Sequence, residues 1–211
     1  MSKRFVLKLG FVTMLSCLVA ALPQAHAAAD NGKASADFIR SLADKAIHSL
    51  TDPSTERAVR IERFRKMFND NFAVRSIGKR ALGRYWRQAS EAEQARYQNL
   101  FEDLMVVTYV DRFATYAGEA LEILKYRAED QAIATVFSEI QRKGGAKPIR
   151  VDWTVGTNGT IYKIVDVKVE GVSMTQTLAA DFASIIRQGG GIPGLLYELQ
   201  KKTAHLSAQV R

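Results

Sequence analysis

Few residues in this chain could do chemistry. Asp152 and Asp166 stand on neighbouring stretches of alternating polarity and could pair as general acid and base. Lone acids on strands, however, more commonly serve as surface or hydrogen-bonded structural groups. Of the three histidines, His26 falls in an N-terminal leader, while His48 and His205 sit near opposite ends of the remaining chain, each beside helical apolar positions. No H-E-x-x-H spacing offers a metal site and no G-x-S-x-G elbow offers a nucleophile, since Gly171-Val172-Ser173 lacks the second glycine. Gly189-Gly190-Gly191 before Ile192-Pro193-Gly194 could present backbone N–H groups to a phosphate at a helix start, although a helix C-cap and loop is the commoner use of such a run. Arg84-Tyr85-Trp86-Arg87 offers something different: two guanidinium groups among aromatic rings could hold a polar head group or a partner, or could simply snorkel beside a packed tryptophan. None of these arrangements makes an enzyme, and none calls for a cofactor or a metal.

The elements that carry these residues follow from the apolar period. Ile149, Val151, Trp153 and Val155 alternate with polar positions, and after Thr157-Asn158-Gly159-Thr160 the stretch Ile161 to Glu170 alternates again, a hairpin signal. Ala120 to Tyr126 and Ala132 to Gln141 supply two more strands, with turn residues between, so the sheet is expected to be a four-stranded antiparallel meander. Ahead of it, Ser35 could cap a first helix carrying Phe38, Ile39, Leu42, Ala46, Ile47 and Leu50. A second helix runs from about Ser54 to Asn69-Asp70-Asn71. Ser90 followed by Glu93 is a capping box opening a long helix, apolar nearly all round at Met105-Val106-Val107 and therefore central. After Gly171-Val172-Ser173 the period becomes helical, with Leu178, Phe182, Ile185 and Ile186 on one side, and a last helix carries Leu195, Leu196 and Leu199. The class is α+β: N-terminal helices, a four-stranded antiparallel twisted sheet and C-terminal helices, enclosing an apolar space between sheet and helix.

The leader sets the address. Lys3, Arg4 and Lys8 precede an apolar run from Leu9 to Leu22, then Pro23-Gln24 and the small-x-small triplet Ala25-His26-Ala27, which reads as a secretory signal peptide cut after Ala27. The run is shorter than the roughly 20 residues of a spanning helix. A lipoprotein site at Leu15-Ser16-Cys17 fits poorly, because Met14 is wrong for it and the apolar run continues past the cysteine. Residues 28–205 then form one domain and 206–211 a polar tail. Cys17 is the only cysteine, so the processed chain has none, and disulfides, thiolate catalysis and zinc-cysteine sites disappear together, a pattern suited to a bacterial periplasm. Of 211 residues, 47% are hydrophobic and 25% charged, which is an ordinary globular composition. Losing the three leader cations takes the formal charge from +8 to +5, a balance that favours anionic surfaces. The basic residues are spread along the chain, and nucleic acid is not an expected partner of an exported protein.

Several short motifs stand in one order: Leu82-Gly83-Arg84-Tyr85-Trp86-Arg87-Gln88-Ala89-Ser90, then Asp152-Trp153, then Tyr162-Lys163-Ile164-Val165-Asp166-Val167 leading to Glu170-Gly171-Val172-Ser173, then Phe182 with Ile185-Ile186. In this the chain resembles the MlaC-type proteins, also known as toluene-tolerance auxiliary components of ABC transporters, over about Phe38 to Leu199. The resemblance implies a twisted antiparallel sheet facing several helices, with acyl chains held in a deep apolar pocket between them. It implies a periplasmic phospholipid carrier working between an outer-membrane lipoprotein complex and an inner-membrane ABC transporter with an MCE-type subunit; separately, the chain is expected to be a monomer. Leu178-Ala179-Ala180-Asp181 stand before Phe182 where that family usually has an arginine. Ligand and partner therefore stay open, and a hopanoid or other apolar lipid is the alternative cargo. The candidate wall residues are Met105, Tyr109, Trp153, Val155, Ile164, Met174, Phe182 and Ile186, with Arg84 and Arg87 as candidate head-group or partner contacts. Plain core packing would use the same apolar side chains. Two other classes remain: a small enzyme using Asp152 or Asp166 as base, and a non-catalytic periplasmic adaptor or chaperone.

Overall fold

The computed structural model describes residues 22–115 and 118–208. The chain runs α1 (Leu22–Leu50), α2 (Arg57–Asn71), α3 (Val74–Leu82), a 3-10 turn (Gly83–Arg87) and α4 (Glu91–Ala114). It continues through β1 (Leu121–Ala128), β2 (Ile133–Ile140), β3 (Ile149–Thr157), β4 (Tyr162–Val169) and β5 (Val172–Ser173), then α5 (Met174–Gln188) and α6 (Gly191–Ala208). The α+β class and the meander are as expected, with one short strand more: the sheet is antiparallel in the order β1-β2-β3-β4-β5.

The hairpins have local causes. Asp130 Oδ1 accepts the N–H groups of Ala132 and Ile133 at 2.7 Å each, closing the β1–β2 turn. Asn158 Oδ1 does the same for Thr160 and Ile161 between β3 and β4. The fifth strand arises because Glu170 (φ 50°) and Gly171 (φ 82°) form a two-residue turn with both φ positive, so that Val172 pairs back with Val169. The sequence expectation stopped the sheet at Glu170, because a glutamate rarely occupies that conformation.

The helix starts are partly as expected. Ser90 Oγ accepts from the Glu93 N–H while a Glu93 carboxylate oxygen accepts the Ser90 N–H at 2.9 Å, the capping box of α4. Ser173 Oγ caps α5 by accepting the Gln176 N–H at 3.1 Å. Ser35, by contrast, caps nothing. α1 already runs through residues 28–33, the segment expected to be a loose terminus, and Ser35 is buried on it, bonded to Asn31 Oδ1. The alanine-rich start favours helix. Asn31 Nδ2 also donates to the Asp130 carbonyl at 3.1 Å, and Gly32 lies so near β1 that an added Cβ would fall 2.9 Å from the Tyr126 ring. Of the expected leader, residues 1–21 lie outside the described residues. At the other end α6 continues past His205 to Ala208, and Leu206 packs on the core where a polar tail was expected.

Two cores result. Ala36, Ile39 and Leu42 of α1 close over Val136, Val155 and Ile164 on one face of the sheet. The second core lies among α2 to α6, with Tyr97, Phe101, Leu104 and Val106 of α4 at its centre, as the all-round apolar character of that helix requires. Among the described residues no helix is long and apolar enough to cross a membrane.

Candidate functional site: an aromatic seam and a basic groove

The two cores meet at Phe72, which packs against both. Phe64, Phe68 and Phe72 recur every four residues and so form one ridge. Phe64 and Phe68 are stacked with centroids 6.1 Å apart, Phe68 and Phe72 are 4.9 Å apart, and Phe113 of α4 closes on Phe64 at 5.6 Å. Beyond Phe72 the chain is stitched to β4. The Ala73 N–H donates to the Ile164 carbonyl at 2.9 Å, and Lys163 Nζ donates to the carbonyls of Asn69 (2.8 Å) and Asp70 (2.7 Å) at the end of α2. Arg80 of α3 donates to the Val165 carbonyl.

On the sheet side of the seam stand Met67, Trp153, Tyr162 and Val167, all half-buried against the α1 core. Trp153 is an apolar surface whose one polar atom is spoken for: its Nε1–H donates to Ser138 Oγ at 2.9 Å, and that hydroxyl donates to the Val151 carbonyl at 2.8 Å. Flexible Met67 and partly covered rings are side chains that can repack around an apolar guest.

The candidate wall residues do not converge on one space. Trp153, Val155 and Ile164 belong to the sheet core, whereas Met105, Tyr109, Phe182 and Ile186 belong to the helical core. Met174 is half-buried at the start of α5. The expectation that the helix after the sheet supplies its cover is corrected: α1 lies over the sheet, and the buried face of α5 turns to the other helices. Sequence reasoning did not single out Phe72 and Met67, although Phe64, Phe68 and Phe72 were visible as an i, i+4, i+8 series.

The candidate carboxylates are committed to structure. Asp152 is buried and accepts both Nε–H and Nη2–H of Arg150 at 3.0 Å. Asp166 accepts from Ser173 Oγ (2.7 Å), Thr175 Oγ1 (2.7 Å) and the Thr175 N–H (3.2 Å), holding the first turn of α5. His48 is exposed, its Nδ1 3.0 Å from the Asp44 carbonyl, and the described residues contain no group of acids, histidines or cysteines able to hold a metal. Of the glycine run, Gly189 is the C-cap of α5, its N–H donating to the Ile185 carbonyl at 2.7 Å.

Arg84 and Arg87 are exposed on the 3-10 turn. The Arg84 guanidinium lies 5.0 Å from the Tyr85 ring centre and donates to Tyr85 Oη at 3.0 Å. That donor is the main reason the Tyr85 phenol titrates below its ordinary range. Both arginines line a groove of about 840 Å³ together with Lys79, Arg80, Trp86 and Gln94, and Lys79 Nζ sits 5.7 Å over the Trp86 ring.

Residues 40–201 match the sequence profile of the MlaC protein family. The chain belongs to that family. The matched span takes in the whole sheet, nearly all of the helical core, the seam and the groove, and of the α1 residues over the sheet it includes Leu42. Among curated relatives, the intermembrane phospholipid transport system binding protein MlaC of Haemophilus influenzae is 22% identical over 130 residues, and the match spans about 60% of each chain. Among solved structures, a phospholipid-binding protein from Ralstonia solanacearum, determined in complex with a phospholipid, superposes with a TM-score of 0.73 at 21% identity, covering 82% of this chain and 98% of that one. At that identity the likeness is one of fold.

Proposed function

We propose that this MlaC-family protein is a periplasmic lipid carrier that holds phospholipid acyl chains along the seam between the sheet and the helical core. It would pass them between an outer-membrane lipoprotein complex and an inner-membrane MCE-type ABC transporter. Membership of the MlaC family across residues 40–201 carries this reading, and the relatives named for phospholipid binding and transport support it. A two-chain phospholipid has on the order of 30 methylenes, and at about 0.8 kcal/mol each its bare passage through water would cost roughly 24 kcal/mol. The seam offers side chains suited to that need: Phe72 packs against both cores, with Phe64 and Phe68 on the helical side and Met67 and Trp153 on the sheet side, so acyl chains lodged there would be covered from both. Relative to a bilayer the chains gain little, so affinity is finely balanced and direction comes from the partners.

The test is native mass spectrometry of protein purified from the periplasm without detergent, followed by extraction and identification of lipid. One phospholipid per chain is the expected increment. A hopanoid increment would change the cargo but keep the carrier. A bare mass that persists after incubation with liposomes would overturn the reading in favour of an adaptor.

A further inference from the structure

Most charged side chains on this protein that ion-pair do so locally or between helices: Arg57 with Asp111, Arg65 with Glu102 and Asp103, Arg127 with Glu129, Arg150 with Asp152. The groove over α3 and the 3-10 turn breaks that pattern. Lys79, Arg80, Arg84 and Arg87 are all exposed and line one depression of about 840 Å³, and none of the four forms an ion pair with a carboxylate among the described residues. Lys79 and Arg87 make no side-chain hydrogen bond there either. Between them stands Trp86, half-buried, with Lys79 over its face. Glu91 is the one carboxylate in the adjoining depression of about 310 Å³, which also takes in Arg75.

We propose that this groove is a docking surface for an anionic phospholipid bilayer, with the cations on the head-group phosphates and the Trp86 indole at the level of the glycerol backbone. It is distinct from the seam proposed for the cargo and stands independently of it. Three features select a bilayer. Guanidinium forks match phosphate oxygens two at a time. Several unpaired cations on one face gain from the surface potential of anionic lipids within a Debye length. An indole among cations has one apolar face and one polar edge, the partition that places tryptophan at membrane interfaces. An acidic protein could use both the cations and the ring, and the experiment keeps that outcome distinct.

The experiment uses the processed chain and flotation with vesicles of phosphatidylcholine containing about one quarter phosphatidylglycerol, against pure phosphatidylcholine, at low and high salt. The expected result is binding to the anionic vesicles that weakens with salt. It should fall about tenfold or more in Lys79→Gln/Arg87→Gln, a pair chosen because neither side chain holds the fold together. The control pair Lys125→Gln/Lys168→Gln, on the sheet, should bind as the parent does. In a Trp153→Phe background, which leaves Trp86 as the only tryptophan, its emission should shift to the blue on adding anionic vesicles. Lipid occupancy by native mass spectrometry should be the same in Lys79→Gln/Arg87→Gln and the parent, which separates loss of docking from loss of cargo. Equal vesicle binding by the two pairs, no blue shift, or complete competition by millimolar inorganic phosphate would overturn the proposal. So would absence of vesicle binding by the parent with retained capture by an acidic protein.

Discussion

Phe182 stands edge-on to Tyr97, the two ring centres 6.1 Å apart and the planes at 88°. Phe101 meets the same ring of Phe182 at 87° and 6.5 Å. This T-shaped triad joins α5 to α4, and Phe182 is only 4% exposed. A ring so enclosed works first as a rivet between helices. Phe182→Ala is therefore expected to lower stability by about 3–5 kcal/mol, measured by urea denaturation, with a smaller loss for Phe182→Leu. Reduced lipid occupancy at unchanged stability would instead make Phe182 part of the cargo wall.

Much of this architecture was legible in the sequence because its causes are local. The period-two runs marked β1 to β4, the Ser90 and Glu93 pair marked the start of α4, and the change of period after Gly171-Val172-Ser173 marked that of α5. What escaped was non-local or disguised. β5 depends on Glu170 adopting a positive φ that its side chain disfavours. α1 begins early because residues that read as a loose terminus find Asp130 and Tyr126 to pack against, far along the chain. Periodicity identified the buried faces of α1 and α5 but not what each faces. Phe182 and Trp153 were thus assigned to one space, and the fold puts them in two cores. Asp152 and Asp166 looked like candidate acids because their partners, Arg150 two residues away and the first turn of α5, are invisible until the chain folds.

The same triad makes an alkaline prediction. Tyr97 is fully buried, its hydroxyl donating to the Gly78 carbonyl at 2.8 Å, and burial pushes its phenol well above the ordinary tyrosine range. The folded state thus keeps a proton that the unfolded chain releases from about pH 10. The stability tied to the neutral phenol is complete below that pH. It declines by about 1.4 kcal/mol per pH unit above it, until the folded group itself titrates. Tyr97→Phe removes this dependence and costs about 0.5–1.5 kcal/mol at neutral pH for the lost hydrogen bond. Urea unfolding at pH 8 and pH 11 should find the variant less stable at the lower value, with the gap closed or reversed at the higher. A gap that is the same at both would refute the assignment.

Arg60 sets the junction between α1 and α2. It is 5% exposed, and its guanidinium donates to three carbonyl oxygens: Leu50 at 3.0 Å, Asp52 at 3.3 Å and Thr55 at 2.8 Å. Leu50 closes α1, where its carbonyl lacks an intrahelical partner, while Asp52 and Thr55 lie in the loop to α2, and a cation at the helix end also complements the helix dipole. Among the described residues no carboxylate ion-pairs with it; the Asp52 carboxyl feels its charge, but the three carbonyls hold the guanidinium in place, so geometry decides its worth. Arg60→Met keeps the apolar stem but orphans the carbonyls and should cost about 2–4 kcal/mol. Arg60→Lys should recover little, because one ammonium cannot reproduce the planar fork. Hydrogen exchange would locate the effect: amides from the end of α1 to the start of α2 should lose protection first, ahead of those in β2 and β3. Uniform loss of protection across the sheet would mean that Arg60 supports the whole fold and does not act as a local clasp.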